Sequence, residues 1–317
     1  MANLSTVYEF ILIGFPGLQQ IFHVPVSIVM LLVYSISLTA NILVIGLIIV
    51  KKQLHQPMYI IIANLALSDL LFDTITLPKI IAKYWFGAGS ISFYGCFFQM
   101  FCAHYLGSLD SFIIMLMAVD RYVAICKPLR YHSIIGNRLV GFACYFFWIL
   151  AAIIGLAIVL IAGLLPFCGP NLVKNCFCAS PSVIILACVD VTIARRIGFI
   201  IGMIVHLLPL SVIIISYIII IRVVHSSAGN ENWQKAFYTC TTHMFVIGLY
   251  FIPRLFVYVT GQIPLILNAD LNVLIFCLYT FIPHVASPII YCLRTKEIRN
   301  ICGQILKFTT KKGLIPH

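Results

Sequence analysis

Seven stretches of predominantly apolar residues, each long enough to cross a lipid bilayer, decide what this chain can fold into. They run from about Val24 to Val50, Pro57 to Ile81, Cys96 to Val123, Val140 to Leu165, Ile197 to Ile221, Ala236 to Thr260 and Leu271 to Leu293. A hydrocarbon core about 30 Å thick is crossed by roughly 20 residues of helix. Lipid offers backbone N–H and C=O groups no partner, so they must pair within the span. The expected fold is an all-α membrane protein: a seven-transmembrane helix bundle over residues 24–293, with a tail at 1–23 and another at 294–317. Composition agrees, since 62% of residues are hydrophobic and only 9% charged, where a soluble domain carries about one-quarter charged residues.

The 20 basic and 9 acidic residues leave a net charge of +11. Nucleic acid is not the expected partner, because apolar runs separate the charges and a membrane surface accounts for them. With the N-terminus extracellular, 14 of the Lys and Arg residues fall on inner loops and ends and 6 on the outer half. That is the bias expected of a multi-pass protein in the plasma membrane with its C-terminus inside. Asn3-Leu4-Ser5 on the outer tail is a glycosylation sequon. Residues 1–20 show no basic start followed by a long apolar core, so the first span is expected to act as the insertion signal. After the seventh span, Ile298, Ile301, Cys302 and Ile305 follow helical spacing beside Lys296 and Glu297. This predicts a short amphipathic helix on the inner leaflet, with membrane lipid as its partner.

Five of the twelve cysteines, Cys96, Cys168, Cys176, Cys178 and Cys188, fall on the oxidising side, where disulfides persist. Their spacing does not match a zinc framework, and an odd number leaves one unpaired. Inside the spans, ionisable residues are costly and usually have a role. Asp69 and Asp110 lie at mid-depth of spans two and three. Two such acids imply a shared proton or a cation such as sodium between them, or a neutral hydrogen-bonded pair. Arg254, one residue after Pro253 in span six, cannot shed its charge. It must meet an internal acid (Asp73 or Asp270), snorkel outward, or face a hydrated pocket that awaits an anionic partner.

Several segments resemble, in order, the signature of vertebrate olfactory receptors, a branch of the rhodopsin-like G-protein-coupled receptors. They are Leu54-His-Gln-Pro-Met-Tyr59, Leu65-Ala-Leu-Ser-Asp69, Met117-Ala-Val-Asp-Arg-Tyr-Val-Ala-Ile-Cys126, Lys235-Ala-Phe-Tyr-Thr-Cys240-Thr-Thr-His243 and Pro288-Ile-Ile-Tyr291. Phe167-Cys168-Gly-Pro-Asn171 and Leu186-Ala-Cys188 are similar to that family's long second outer loop. The resemblance implies an odorant receptor, not an enzyme. It would bind a small, mostly hydrophobic ligand and activate a heterotrimeric G protein of the olfactory stimulatory type, raising cAMP. It implies disulfides Cys96–Cys178 and Cys168–Cys188, with Cys176 the odd thiol. It further implies a switch in which Arg121 leaves Asp120, beside Tyr122, to meet the G protein while Tyr217 and Tyr291 rearrange, with His243 at the entry to span six. Asp69 and Asp110 match the family's acidic pair. Ser287 departs from the asparagine that usually precedes the seventh-span proline.

A ligand pocket in the outer half is then expected between spans three, five, six and seven. Helical position relative to Arg121, Pro209 and Pro253 nominates His104, Gly107, Ser108, His206, Phe251, Arg254, Tyr258 and Gln262 as its lining. A non-olfactory chemosensory receptor of the same fold is the nearest alternative. An intramembrane transporter or enzyme is the distant one, since internal duplication, a filter motif and nucleotide loops are all absent from the sequence.

Overall fold

The computed structural model describes residues 7–226, 230–260 and 268–294. Its seven long helices are α1 (His23–Val50), α2 (Pro57–Phe86), α3 (Phe93–Cys126), α5 (Asn137–Gly163), α7 (Thr192–Ser226), α8 (Asn230–Thr260) and α9 (Ala269–Arg294). Two short helices, α4 (Tyr131–Ile134) and α6 (Ser180–Ile184), lie between them. Local chemistry sets several boundaries. Pro57 sits in the first turn of α2, where its missing N–H costs nothing. Gly87 ends that helix in the left-handed conformation, φ 73°. Ser92 caps α3, its hydroxyl accepting from the Gly95 N–H at 3.1 Å.

Six of these helices are long and apolar enough to cross a membrane, and α3 is the exception. The reason is its place. It packs on α2, α5 and α7 and buries Gln99, Ser108, Asp110, Ser111 and Asp120 among protein rather than lipid, so its surface need not be uniformly apolar. Around it, α1 packs on α2 and α9, while α8 packs on α7 and α9, which closes the bundle. At Gly155 of α5 the approach to α3 is tight enough that a Cβ would lie 3.0 Å from the Tyr105 nitrogen and 3.2 Å from the Phe101 carbonyl. The Trp148 indole N–H donates to Asn64 Oδ1 at 2.8 Å, tying α5 to α2.

One end of the bundle carries a three-stranded sheet that the helical reading of the sequence did not anticipate. Strand β1 (Glu9–Leu12) lies between β2 (Ser90–Ser92), antiparallel to it, and β3 (Leu172–Val173), parallel to it. Its alternation is that of a half-buried strand: Phe10 and Leu12 point inward and are fully buried, while Glu9 and Ile11 face out. Phe10 meets Phe93 and Phe167, and just beyond the strand Lys83 donates to the Ile13 carbonyl at 2.6 Å. The segment between α5 and α7 folds over this end, held by disulfides Cys96–Cys178 and Cys168–Cys188. Both pairings are the expected ones. The sequon at Asn3, pocket candidate Gln262 and the amphipathic stretch after α9 lie outside the described residues.

The α3–α5 approach yields a first expected outcome. Gly155→Val should force the two helices apart and destabilise the bundle by about 1–3 kcal/mol. A lowered thermal midpoint of the detergent-solubilised protein would register it, and an unchanged midpoint would show that the helices are not held this closely.

Candidate functional site

The middle of the bundle holds a buried ionic cluster built from three helices. The His284 ring of α9 lies 2.8 Å through Nδ1 from Asp73 Oδ1, and through Nε2 3.6 Å from Asp69 Oδ1 and 3.8 Å from Asp110 Oδ2. All four residues are at most 2% exposed. Asp73 Oδ2 accepts from the Ser37 hydroxyl at 2.5 Å. Asn41 of α1 donates to the Ser37 carbonyl and to the backbone carbonyl of His284, at 3.0 and 3.2 Å. Phe72 stands edge-on to the imidazole with ring centroids 5.0 Å apart. Nδ1 is within hydrogen-bond distance of Asp73, while Nε2 faces Asp69 and Asp110 from beyond hydrogen-bond reach. Asp69 and Asp110 are thus brought together as expected, but with an internal partner that the sequence reading had left out.

Toward the sheet end lies a second polar group. Arg254 is buried in α8, its guanidinium 3.9 Å from the Tyr250 ring centroid and 6.0 Å from that of Tyr279. One terminal nitrogen donates to the Tyr250 hydroxyl at 2.6 Å and to the Gly107 carbonyl at 3.4 Å. The Tyr250 hydroxyl donates in turn to the Gly107 carbonyl and lies 3.0 Å from Ser111 Oγ. Among the described residues Arg254 Nε has no hydrogen-bond partner, and neither do the Nε2 atoms of His104 and His206, all three buried. His206 is anchored through Nδ1 to the Gly202 carbonyl at 2.7 Å and lies against Tyr258, Tyr250 and Phe251.

Gly107, His206, Phe251, Arg254 and Tyr258 therefore converge as the helical positions implied. His104 and Ser108 lie on α3 within a turn of Gly107, and Ser108 is buried. Tyr250 and Tyr279 belong to the same group and were missed. Tyr250 lies one turn before Arg254 on the same face, which is the signal that could have found it. Neither internal acid considered for Arg254 pairs with it. Asp73 is taken by Ser37 and His284. Asp270 accepts from the Gly17 backbone N–H at 2.9 Å, tying the N-terminal segment to α9. Among the described residues every ion pair within 4.0 Å belongs to His284, so Arg254 has no carboxylate partner there.

The opposite end shows a third arrangement. Asp120 and Arg121 do not pair, because successive residues on a helix point about 100° apart. Asp120 accepts from the Tyr131 hydroxyl at 2.7 Å, while Arg121 turns toward the Met58 sulfur at the start of α2. Burial, and then the carboxylate it donates to, holds the Tyr131 phenol well above its ordinary value, so the proton stays on the donor. Tyr217 of α7 joins His243 Nδ1 of α8 at 2.6 Å, and the Tyr291 hydroxyl reaches Met117 Sδ at 3.5 Å. Tyr122 packs against the core beside them. Ser287 lines a narrow crevice with Asn41, Asp69 and Tyr291, between this end and the ionic cluster.

The family model for olfactory receptors matches residues 30–309 of the chain. Olfactory receptor 56A5 of Homo sapiens is 34% identical over 305 residues, covering 96% of this chain and 97% of that protein. Human olfactory receptor 56A4 is 35% identical with the same coverage, and human olfactory receptor 52H1 is 34% identical over 94% of this chain and 95% of its own length.

The ionic cluster leads to a second expected outcome. His284→Gln keeps a hydrogen-bonding side chain but removes the only ring that can carry charge between the three acids. Breaking such a buried set should cost about 3–5 kcal/mol. The thermal midpoint should fall, and if His284 is charged in the parent, sodium chloride should raise it again more than N-methylglucamine chloride does. A midpoint indifferent to the substitution would show that His284 carries no charge there.

Proposed function

The chain belongs to the olfactory receptor family, and we propose that it is a plasma-membrane odorant receptor that reads a small anionic ligand through Arg254. Olfactory receptors are G-protein-coupled receptors, a signalling class and not an enzyme class, and six membrane-length helices make this a multi-pass membrane protein. The proposal adds α3 as the seventh span, with the sheet end extracellular and residues 294–317 in the cytoplasm. The lysine and arginine asymmetry supports that orientation, as do disulfides confined to the sheet end.

The observation that carries the ligand reading is a buried guanidinium with no carboxylate within reach among the described residues. Its Nε and the Nε2 atoms of His104 and His206 are polar atoms removed from water without a hydrogen-bond partner among the described residues, a state that costs free energy. A carboxylate or sulfate head group would satisfy them. Phe251, Tyr258 and Gly107 would receive the apolar body, with Ser108 completing the lining, and burial of that body contributes about 25 cal/mol per Å². Tyr250 connects this site to α3 through Gly107 and Ser111, so a ligand that draws Arg254 away from Tyr250 alters how α8 sits on α3. That is a differential interaction of the kind needed to shift a conformational equilibrium.

The same reading gives the central cluster a holding role. Asp69, Asp110 and His284 lie close enough to share one cation, and the two Asp110 oxygens without hydrogen bonds fit such a partner. A neutral His284 would ligate that cation together with the two acids, whereas a protonated ring would stand in its place. At the cytoplasmic end, Arg121, freed from Met58, would meet the G protein, with Asp120 and Tyr122 framing it and the Tyr217–His243 and Tyr291–Met117 contacts exchanging partners as α8 moves. The G protein proposed is the olfactory stimulatory type, raising cAMP.

Two outcomes test this reading. Arg121→Ala should abolish ligand-driven cAMP at normal surface density, and a full response in that variant would overturn the switch. In a panel matched in carbon skeleton, carboxylates and sulfates should outperform alcohols and alkanes on the parent receptor. Arg254→Gln should lose the anionic ligands selectively, by 10-fold or more in potency for a charge-assisted bidentate contact worth about 1.5–3 kcal/mol. Equal responses of the parent to charged and neutral members would end the anion reading while leaving the receptor assignment standing.

A further inference from the structure

Cys176 is reduced, and so is Cys277 of α9, yet their sulfurs stand 3.0 Å apart. We infer that Cys176 and Cys277 form a third disulfide in the mature protein, joining the segment between α5 and α7 to α9. The count of cysteines toward the sheet end left Cys176 without a partner. The sixth comes from inside a helix, 101 residues further along the chain. The separation is about 1 Å beyond a sulfur–sulfur bond of roughly 2.05 Å, so closure needs only a small side-chain adjustment.

The approach is prepared by neighbours on both sides. Asn175 Oδ1 accepts from the Cys176 N–H at 2.7 Å, while its amide donates to Ser182 Oγ at 3.1 Å. Phe177 lies tilted against Phe276, the residue before Cys277, with centroids 5.1 Å apart, and also meets Phe72 and Phe281. Two successive residues of the segment therefore face two successive residues of α9. Two positions further on, Cys178 is already bonded to Cys96, so this stretch passes through a compartment oxidising enough to close disulfides.

The chemistry balances with a disulfide-bearing thiol oxidoreductase, or glutathione disulfide, as oxidant. The Cys176 thiolate attacks one sulfur of that disulfide, forming a mixed disulfide and releasing one thiol. Cys277 then attacks the Cys176 sulfur and releases the second thiol, so two protons and two electrons leave the pair. Both sulfurs are buried in the packed bundle. The exchange therefore precedes the final docking of α9, and the finished bond is shielded from reductants. With Cys96–Cys178 it would chain α3 to α9 covalently through residues 176–178.

The test is peptide mapping of the full-length receptor, denatured in sodium dodecyl sulfate with N-ethylmaleimide present so that buried thiols react, and digested without reduction. The expected product is one species joining the peptides that carry Cys96, Cys176 with Cys178, and Cys277. Recovery of Cys277 as its N-ethylmaleimide adduct overturns the inference. In Cys277→Ser, Cys176 should become labelled while Cys96–Cys178 stays linked, and the thermal midpoint should fall relative to the parent. A Cys176 that stays unlabelled in that variant has another partner and overturns it equally.

Discussion

Three carboxyl groups buried at the centre of a helical bundle must share protons or meet a positive charge, and His284 is the side chain set among them. The ring sits on α9 between Asp69 and Asp73 of α2 and Asp110 of α3, with α1 holding the periphery through Ser37 and Asn41. Four helices are thereby committed to one another by groups whose desolvation is expensive unless the geometry is right. Apolar packing between membrane helices is weakly specific, since lipid chains compete for the same surfaces. A polar set with defined distances fixes which helices meet and at what depth. The tight crossing at Gly155 and the Arg254 group on either side of α3 inherit their places from that centre.

The sequence made some of this legible and left the rest dark for identifiable reasons. The spans could be read because twenty apolar residues have few other destinations. The third apolar run, Cys96 to Val123, folds as α3, yet α3 is the one long helix not apolar enough to count as membrane-crossing, because a helix enclosed by others answers to its neighbours. Asp69 and Asp110 stood out as charges in apolar runs. His284 did not, being one histidine of nine and 211 residues from the aspartate it contacts. Asp120 and Arg121 are adjacent in the chain and invite pairing, yet helical geometry sends one to Tyr131 and the other to Met58. The β-strand at Glu9–Leu12 is too short for its alternation to outweigh the helical expectation around it.

The two ends of the bundle differ in how they are held. At the sheet end the links include two disulfides, three strands and an aromatic nest around Phe177. At the other end, among the described residues, side-chain hydrogen bonds join Asp120 to Tyr131, Tyr217 to His243 and Tyr291 to Met117. Such bonds are each worth about 1 kcal/mol net and can exchange partners at little cost.

The sheet also sets an order of events during biosynthesis. β1 is made first, but its partners are residues 90–92 and 172–173. At about 5–20 residues per second, roughly 160 residues separate its emergence from that of β3, a wait of about 8–32 s. Over that interval Phe10 and Leu12, fully buried in the finished protein, stay without their final cover. The N-terminal strand is thus translated early and completed late, and the burden of shielding it falls on the cell's folding machinery until the α5–α7 segment arrives.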